Sequence, residues 1–461
     1  MSTLSDLLDL AGLDPSLIGQ ADLTGQDPAL PSSFRIGEAA QASIAALGLA
    51  AASLHTARGA PPQRVAVSMR DAAAEFLSER HLRIDGQTPP DPWDPIAGAY
   101  TCGDGRVVRL HTNFPHHRDG ILALLGCENS REAVAAALAL RNAIEFETEA
   151  TAANLCVSAM RSFAEWDAHP QSAHLATMPV LTIERIGDAP PRPLPARAAH
   201  PLEGMRVLDL TRVIAGPVAG RALAAHGAEV LHITGPHLPS IKTLTIDTGR
   251  GKRCASLDLR DSADAARLDA LAGGADAFVQ SYRAGSLAAL GFSADALAER
   301  HPGIVVGELC AYGWGGPWAN KRGFDSLVQT STGFNVAEAE AAGVAPPKVL
   351  PCQPLDHASG YLLALGVVAA WHRRATEGGS WRVRVTLART GMWLRGLGRL
   401  ENGFSAPALK HGDLADLLEV EQGGFGSVQH LRHSARMSAT PAVWARPAEA
   451  LGSSPAAWAT P

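Results

Sequence analysis

Asp356 and His357 stand directly in front of a long apolar segment, in the sequence LDHASGYLLALG at residues 355–366. An aspartate in this position can cap a helix, because its side chain accepts a hydrogen bond from a free N–H of the first turn. It can also act as a covalent nucleophile, with the positive field and free N–H groups of the helix start stabilising an oxyanion. The pattern alone favours the cap. His357 is a candidate acid–base group beside it.

The composition is that of a globular chain without a basic surface. Hydrophobic residues make up 46% and charged residues 19% of the 461 positions, which argues against intrinsic disorder. The net charge of −6 provides no footprint for nucleic acid and no polybasic arm for anionic lipid. Six widely spaced cysteines form no CxxC pair, so the sequence predicts no metal site.

Neither a signal peptide nor a membrane span is expected. The N-terminus MSTLSDLLDLAGLD contains acidic residues and no cleavable apolar core. The most apolar run, at 360–371, is too short to cross a bilayer. We therefore predict a cytoplasmic protein with reduced thiols.

Short apolar strands alternate with helical segments after residue 204. Strand-like runs occur at 205–210, 229–233, 277–282 and 304–312. Helices between buried strands predict a parallel sheet, and hence a doubly wound, Rossmann-like α/β lobe. Its first turn, LTRVIAGPVAG, lacks the GxGxxG pattern, which argues against a dinucleotide site.

The first part of the chain has a different organisation. Gly103-Asp104-Gly105 separates two β-prone runs and predicts a hairpin in a small α+β domain. The predicted divisions are an N-terminal arm at 1–33, a helix–strand unit at 34–88, the small α+β domain at 89–188, a proline-rich linker at 189–204, the Rossmann-like lobe at 205–400 and a C-terminal tail at 401–461.

An internal repeat connects the two parts. The segments that begin at Ala46 and Ala364 align without a gap, ending in RVAVS and RVRVT respectively. At this offset Glu38 falls opposite Asp356. We interpret Glu38 as a relic of the repeat or as a surface charge.

Six consecutive blocks between residues 201 and 397 carry a family resemblance. They are PLEGMRVLDLTRVIAGPVAGRALAAHGAEVLHI, GRGKRCASLDLR, VQSYRAGSLAALGF, AYGWGGPW, RGFDSLVQTSTGF and LDHASGYLLALGVVAAWHRR. In order and spacing they resemble the first half of a class III CoA-transferase of the CaiB/BaiF family. The N-terminal part resembles the second half of that family, so the order of halves is permuted or partly duplicated. The resemblance implies a Rossmann-like lobe plus a small domain, and a homodimer or a pseudo-dimeric monomer.

The same resemblance implies an acyl-CoA:carboxylate CoA-transferase. Asp356 would be the nucleophile, forming an aspartyl mixed anhydride and then an aspartyl-CoA thioester. Coenzyme A thioester would be a substrate, with no tightly bound cofactor. The implied CoA-binding residues are Arg212, Val213, Ala215, Tyr282, Arg283, Gly285 and Arg322. Two alternatives stay open, an acyl-CoA racemase or lyase of the same fold and a non-catalytic, degenerate CoA-binding homologue. Phe324 stands where racemase relatives carry a histidine, which argues against the racemase.

Overall fold

The computed structural model describes residues 2–196 and 198–459. The helices that the argument uses are named in chain order, as α1 (Thr3–Ala11), α2 (Ile36–Ala57), α3 (Met69–Glu75), α4 (Ser78–His81), α5 (Pro115–Leu125), α6 (Arg131–Leu138), α7 (Ala143–Ala152), α8 (Phe163–Asp167), α9 (Pro170–Ala176), α10 (Ala215–Ala225), α11 (Lys242–Gly249), α12 (Ser262–Gly273), α13 (Ala294–Arg300), α14 (Asp325–Ser331), α15 (Phe334–Ala342), α16 (Pro354–Glu377) and α17 (Leu387–Gly396).

The strands are named in the same way. They are β1 (Ala21–Thr24), β2 (Val65–Ser68), β3 (Arg83–Ile84), β4 (Gly98–Thr101), β5 (Val107–Leu110), β6 (Val157–Ala159), β7 (Thr182–Gly187), β8 (Arg206–Leu210), β9 (Glu229–Thr234), β10 (Lys252–Ser256), β11 (Ala277–Gln280), β12 (Val305–Cys310), β13 (Ser380–Thr386), β14 (Leu418–Gly423), β15 (Gly426–Leu431) and β16 (Arg436–Met437).

The largest sheet confirms the predicted doubly wound lobe. Its seven strands lie in the order β10-β9-β8-β11-β12-β13-β7. The strands from β8 to β13 pair in parallel, and β7 pairs antiparallel at the edge. The chain runs outward from β8 to β10 and then returns to β11, so the strand order reverses between β8 and β11. Loops that leave such a reversal diverge and form a crevice at the carboxyl ends of the strands.

Strand β7 belongs to the large sheet, although it precedes the linker in sequence. It lies in the segment 89–188 that the sequence analysis assigned to the small domain. Its antiparallel pairing with β13 attaches the end of that segment to the lobe. This pairing brings together residues about two hundred positions apart, which no local pattern records.

Helix α16 runs through the centre of the molecule. It packs against α10, β12 and β13 of the lobe and against α2 of the N-terminal part. Gly360 allows α16 to pack closely against α10, because a Cβ at this position would lie 2.5 Å from the carbonyl oxygen of Ala215. The start of α16, which carries Asp356, is therefore held close to the start of α10.

Helix α2 is the first copy of the repeated helix. It is the single helix in the described part of the chain with the length and hydropathy of a membrane span, but 89% of the qualifying window is buried inside the structure. Burial of this kind is typical of a core helix. The repeat continues into strands β2 and β13, which follow α2 and α16 respectively. β2 joins a separate small sheet with β1 and β16.

The predicted hairpin forms the core of the small domain. β4 and β5 pair antiparallel on either side of the Gly103–Gly105 turn, and β6 pairs with β5. Val108 and Leu110 point into a hydrophobic core that helices α5 to α7 cover. Because side chains alternate along a strand, the opposite face of β5 is left for contacts with the lobe.

Candidate active site

The loop after β8 carries the first group of residues for which a CoA-binding role was predicted. Val213 has a φ of +72°, a left-handed conformation that β-branched residues rarely adopt. The backbone N–H of Arg212 donates to Oγ of Ser281 in the loop after β11, at 3.2 Å. The Arg212 guanidinium donates to the carbonyl of Pro239 and lies 4.9 Å from the ring centroid of Phe114. These contacts fix the loop against its neighbours.

The loop after β11 holds the second group. The backbone N–H of Tyr282 donates to the side chain of Gln280 at 2.9 Å. Burial raises the pKa of Tyr282 to about 12, so its phenol stays neutral. Arg283 donates to Oδ1 of Asn154 in the small domain at 2.8 Å. Gly285 has a φ of +79°, which allows the turn that follows.

Arg322 reaches the same crevice from the segment before α14. Its Nη1 lies 3.4 Å from Nε2 of His117. Burial lowers the pKa of both groups, and that of His117 falls to about 3, so a neutral imidazole faces the cation. The Arg322 Nε is buried and meets no hydrogen-bond partner within residues 2–196 and 198–459. No carboxylate there neutralises this guanidinium.

These loops enclose a cavity of about 300 Å³, here named the switch-point cavity. It lies at the carboxyl end of the sheet, where the strand order reverses. The predicted residues that line it are Arg212, Val213, Ala215, Tyr282, Arg283, Arg322 and Asp356. Gly285 is not among the lining residues, although its neighbours Ala284 and Ser286 are. Three guanidinium groups on one cavity form an electropositive wall.

Asp356 lies in the first turn of α16 but does not cap the helix. The helix begins at Pro354 with Gln353 as its cap, so Asp356 is the third helical residue. Asp325 provides the acceptor instead, because its Oδ2 accepts the N–H of Leu355 at 2.8 Å and that of Asp356 at 3.0 Å. The expectation that free N–H groups of this helix stabilise an oxyanion is therefore wrong for these two donors.

Burial governs the electrostatics of Asp356. The residue is 6% exposed, and its carboxylate accepts no hydrogen bond from the described part of the chain. Burial, together with the negative charges of Asp325 and Glu79, raises the pKa of Asp356 well above its ordinary value. Burial also raises the pKa of Asp325 to about 6, against the opposing effect of the hydrogen bonds that it accepts. A carboxylate without hydrogen bonds is available to a ligand.

A second cavity, of about 400 Å³, also reaches Asp356. The proline-rich segment 88–93 forms part of its lining, and it is here named the proline-rim cavity. The residues that line both cavities are Val213, Ile214, Phe324 and Asp356. Asp356 thus lies where a cavity lined by arginines meets one whose walls include prolines, aromatic rings and aliphatic side chains.

Three polar residues of the proline-rim cavity were missed by the sequence analysis. His111 Nδ1, Ser326 Oγ and Gln353 Oε1 are buried and find no hydrogen-bond partner among the residues described. The His111 imidazole stacks on Phe324 with ring centroids 3.7 Å apart. Burial and the charge of Arg109 lower the pKa of His111 to about 3, so it is neutral. Strand alternation could have indicated His111, but no local signal marks Gln353.

His357 belongs to neither cavity. It is completely buried, its Nε2 lies 3.3 Å from Oε2 of Glu79, and its ring stacks on Phe76. Burial raises the pKa of Glu79, but the hydrogen bond to His357 and the charge of Arg80 outweigh this effect and lower it overall. Successive helix residues point roughly 100° apart, so His357 faces away from the carboxylate of Asp356. Its position does not support an acid–base role.

Glu38 repeats the local geometry of Asp356 without the cavities. It is the third residue of α2, and Asp27 accepts the N–H groups of Gly37 at 3.1 Å and of Glu38 at 2.9 Å. The Glu38 carboxylate accepts a hydrogen bond from Thr3 and lies 3.6 Å from Arg35. Neither cavity includes Glu38. The first copy of the repeat therefore has the same helix start, but its acid, Glu38, contacts neighbouring side chains.

Comparison with known proteins gives partial matches to acyl-CoA transferases. The acetyl-coenzyme A transferase nodX of Hypoxylon pulicicidum is 33% identical over 204 residues, which cover 43% of this chain and 34% of that protein. The probable fatty acyl-CoA transferase Rv3272 of Mycobacterium tuberculosis is 33% identical over 193 residues, which cover 39% of this chain and 48% of that protein. The chain thus spans about a third to a half of the length of these relatives.

A crystal structure of the mycobacterial protein covers 43% of this chain and 56% of its own, with 32% sequence identity and a TM-score of 0.41. The family model described as CoA-transferase family III matches residues 9–191 and 202–415. These two segments include the residues that line both cavities, the small domain and the whole lobe. The chain therefore belongs to CoA-transferase family III.

Proposed function

We propose that this chain transfers coenzyme A from an acyl-CoA thioester to a carboxylic acid, with Asp356 as the covalent nucleophile. The observation that carries the proposal is the position of Asp356 at the junction of the two cavities. The switch-point cavity offers three arginines to the phosphates of CoA. The proline-rim cavity offers room for the acyl group and for the acceptor acid.

The proposed reaction needs one carboxylate of the protein, that of Asp356, as the covalent nucleophile. Asp356 attacks the thioester carbonyl, the C–S bond breaks, and a mixed anhydride and CoA thiolate form. The thiolate then attacks the aspartyl carbonyl of the anhydride, which releases the donor acid and leaves an aspartyl-CoA thioester. The acceptor carboxylate attacks this thioester to form a second anhydride. The returning thiolate attacks the acceptor's acyl carbon, which yields the new acyl-CoA and restores Asp356.

The environment of Asp356 suits this role. A carboxylate that accepts no hydrogen bond from the described residues has no protein contact to lose when it attacks. Its raised pKa means that the ionised, reactive fraction increases with pH. Asp325 occupies the nearest N–H groups, so it orients Asp356 by holding the start of α16. We assign Asp325 as a positioning residue.

Racemisation at the α-carbon is less well supported. Two-base proton exchange needs a second base beside the substrate. Phe324 stands where racemase relatives carry a histidine, and the nearby His111 has a pKa lowered to about 3 by burial. An imidazole of such low basicity removes an α-proton poorly.

Trapping the covalent intermediate tests the proposal. The protein is incubated with a mixed pool of acyl-CoA thioesters, treated with hydroxylamine or borohydride, and digested for mass spectrometry. We expect a hydroxamate or an alcohol at Asp356 in the wild type and none in Asp356→Asn. Transfer activity retained by Asp356→Ala, or an adduct at another residue, would contradict the assignment. Deuterium incorporation at the α-carbon without CoA exchange would favour the racemase.

A further inference from the structure

Two uncharged polar side chains of the proline-rim cavity have hydrogen-bonding groups that the protein leaves unused. Ser326 is 4% exposed, and its Oγ has no hydrogen-bond partner within residues 2–196 and 198–459. Gln353 is the N-cap residue of α16, but its side chain makes no capping hydrogen bond, and its buried Oε1 has no partner in the same ranges. Burying polar groups without partners is unfavourable, so such groups suit a polar atom of a ligand.

The starts of α14 and α16 hold both side chains beside Asp356. Ser326 follows Asp325, whose Oδ2 accepts the N–H of Asp356 at 3.0 Å. Gln353 precedes Asp356 by three residues, and the side chains of an N-cap residue and of the third helical residue lie on one side of a helix start. Gln329 joins the two starts, because its Nε2 donates to Asp325 and, at 3.3 Å, to the backbone carbonyl that precedes Gln353. The two polar groups therefore approach the nucleophile from two different helices.

The proposed reaction creates a negative charge at this place. When Asp356 attacks the acyl carbonyl, a C–O bond forms and the π electrons of the carbonyl move to its oxygen, which gives a tetrahedral oxyanion. These electrons return when the C–S bond breaks and the CoA thiolate leaves. The N–H groups of Leu355 and Asp356 are engaged with Asp325. The oxyanion thus needs other hydrogen-bond donors.

The charges that line the proline-rim cavity oppose this oxyanion. Besides the nucleophile, the lining includes the carboxyl groups of Glu79, Asp91 and Asp325. Arg80 is the single cation among the described residues of this lining, and it donates to the carbonyl of Pro351 at 2.7 Å and lies 3.6 Å from Glu79. Neutral donors in direct contact with the oxygen would offset this field.

We propose that Ser326 and Gln353 are catalytic residues, whose hydroxyl and carboxamide N–H donate to the acyl carbonyl oxygen as it becomes the oxyanion. This inference rests on the proposed function, because it assigns two further roles in the same reaction. A hydroxyl rotates freely and a carboxamide turns about its last bond, so each can direct a donor into the cavity. Donors whose hydrogen bonds strengthen as charge develops lower the barrier without tightening the binding of substrate.

The test follows the exchange of isotopically labelled acetate into acetyl-CoA, which needs no knowledge of the natural acids. Ser326→Ala and Gln353→Met each remove one donor and keep a similar volume. We expect kcat to fall by about 100- to 1,000-fold in each variant with little change in KM, the pattern of a contact made in the transition state. Because neither group has a partner among the described residues, the melting temperature should stay the same or rise.

Ser359→Ala is the matched control. The Ser359 hydroxyl is buried in α16 outside both cavities and pairs with Oγ1 of Thr390 at 2.8 Å. This variant should keep kcat and melt at a lower temperature, the opposite of the result expected for the two donors. An unchanged kcat in Ser326→Ala and Gln353→Met, or a fall in kcat that comes with a lower melting temperature, would overturn the inference.

Equilibrium binding separates this inference from the proposed function. In the Asp356→Asn background, where the nucleophile is absent, calorimetry compares acetyl-CoA with S-ethyl-CoA, in which CH₂ replaces the carbonyl. We expect acetyl-CoA to bind about 3- to 10-fold more tightly, and this preference to disappear when Ser326→Ala or Gln353→Met is added. A lost preference without any exchange by the wild type would contradict the function and support the two donors. Exchange by the wild type without such a preference, or a preference that both added changes leave intact, would overturn the inference alone.

Discussion

The carboxylate of Asp325 accepts the backbone N–H of Asp356 at 3.0 Å, so the two acids meet at the start of α16. The same oxygen accepts the N–H of Leu355, and the other oxygen of Asp325 accepts a hydrogen bond from Gln329. Asp325 thereby anchors the first turn from α14. Its charge also contributes, after burial, to the raised pKa of Asp356.

Removing the anchor should lower stability. Asp325→Ala would leave two backbone N–H groups and the Gln329 amide without their acceptor in a buried position. We expect the free energy of unfolding to fall by about 1–3 kcal/mol, the cost of leaving buried donors unpaired. Urea denaturation followed by circular dichroism measures this change. A variant as stable as the wild type would mean that water replaces the lost acceptor.

Neutralising the anchor should shift the pH profile. Asp325→Asn keeps an acceptor oxygen but removes the negative charge that helps to raise the pKa of Asp356. The acid limb of the kcat/KM profile should therefore move to lower pH, because Asp356 then ionises more easily. An unmoved acid limb, at near-wild-type stability, would show that burial alone sets this pKa.

Asp356→Asn should be more stable than the wild type at neutral pH and inactive in transfer. The folded state raises the pKa of Asp356, so ionising the group favours the unfolded chain. Below the pKa of Asp356 in the unfolded chain the carboxyl is protonated in both states, and the folded state has its full stability. As the pH rises from there toward the higher pKa of the folded state, the unfolded chain releases its proton first, and the free energy of unfolding falls. The gain in melting temperature should thus shrink as the pH falls toward about 4. We expect transfer to fall by roughly 10³-fold or more.

Calorimetry from acidic to neutral pH, at fixed ionic strength, measures the stability difference. A variant that melts below the wild type at neutral pH would contradict the stated cause of the shift. Asp356→Ala is a weaker comparison, because it also removes packing at the start of α16.

The arginines of the switch-point cavity should control the affinity for CoA. Arg322→Gln and Arg283→Gln each remove one positive charge from the lining. We expect the KM for acyl-CoA to rise about 10-fold, with a smaller change in kcat, because a charge-assisted contact to a phosphate is lost. The effect should weaken at high salt. An equal fall in kcat with an unchanged KM would place these residues in the chemical step instead.

Glu38→Gln should leave transfer unchanged. Glu38 accepts a hydrogen bond from Thr3 and lies near Arg35 at the surface, outside both cavities. The corresponding change at the other repeat position, Asp356→Asn, removes the proposed nucleophile, so the two variants form a matched pair. Steady-state transfer assays on both variants make the comparison. A large loss of activity in Glu38→Gln would indicate a second functional site at the start of α2.

The elements that leave a periodic or turn pattern in the sequence could be predicted from it. Alternating apolar strands and helices indicated the lobe, and the glycine turn at 103–105 indicated the hairpin of the small domain. The loops after β8 and β11 were predicted to carry binding residues, and they meet because both strands flank the reversal of strand order. The resemblance of the surrounding blocks to the family predicts Asp356 as the nucleophile, whereas the local pattern alone favours a cap.

The contacts that complete the site join distant segments and leave no periodic signal. Asp325 stands thirty-one positions before Asp356, and the segment 88–93 lies more than a hundred positions before the lobe begins. His357 is adjacent to Asp356 in sequence, yet the helical turn directs it to Glu79.

The order of amino acids is enough to predict the types of residue and the elements that carry them: a carboxylate at the start of an apolar helix, arginines at strand ends and a hairpin domain. Only the folded chain shows which of these residues share a cavity, which acid accepts the N–H groups of α16, and that the Arg109 guanidinium has no salt bridge among the described residues. The reason is physical: periodicity reports how a segment presents one face to a core, whereas burial and charge balance depend on every segment packed against it.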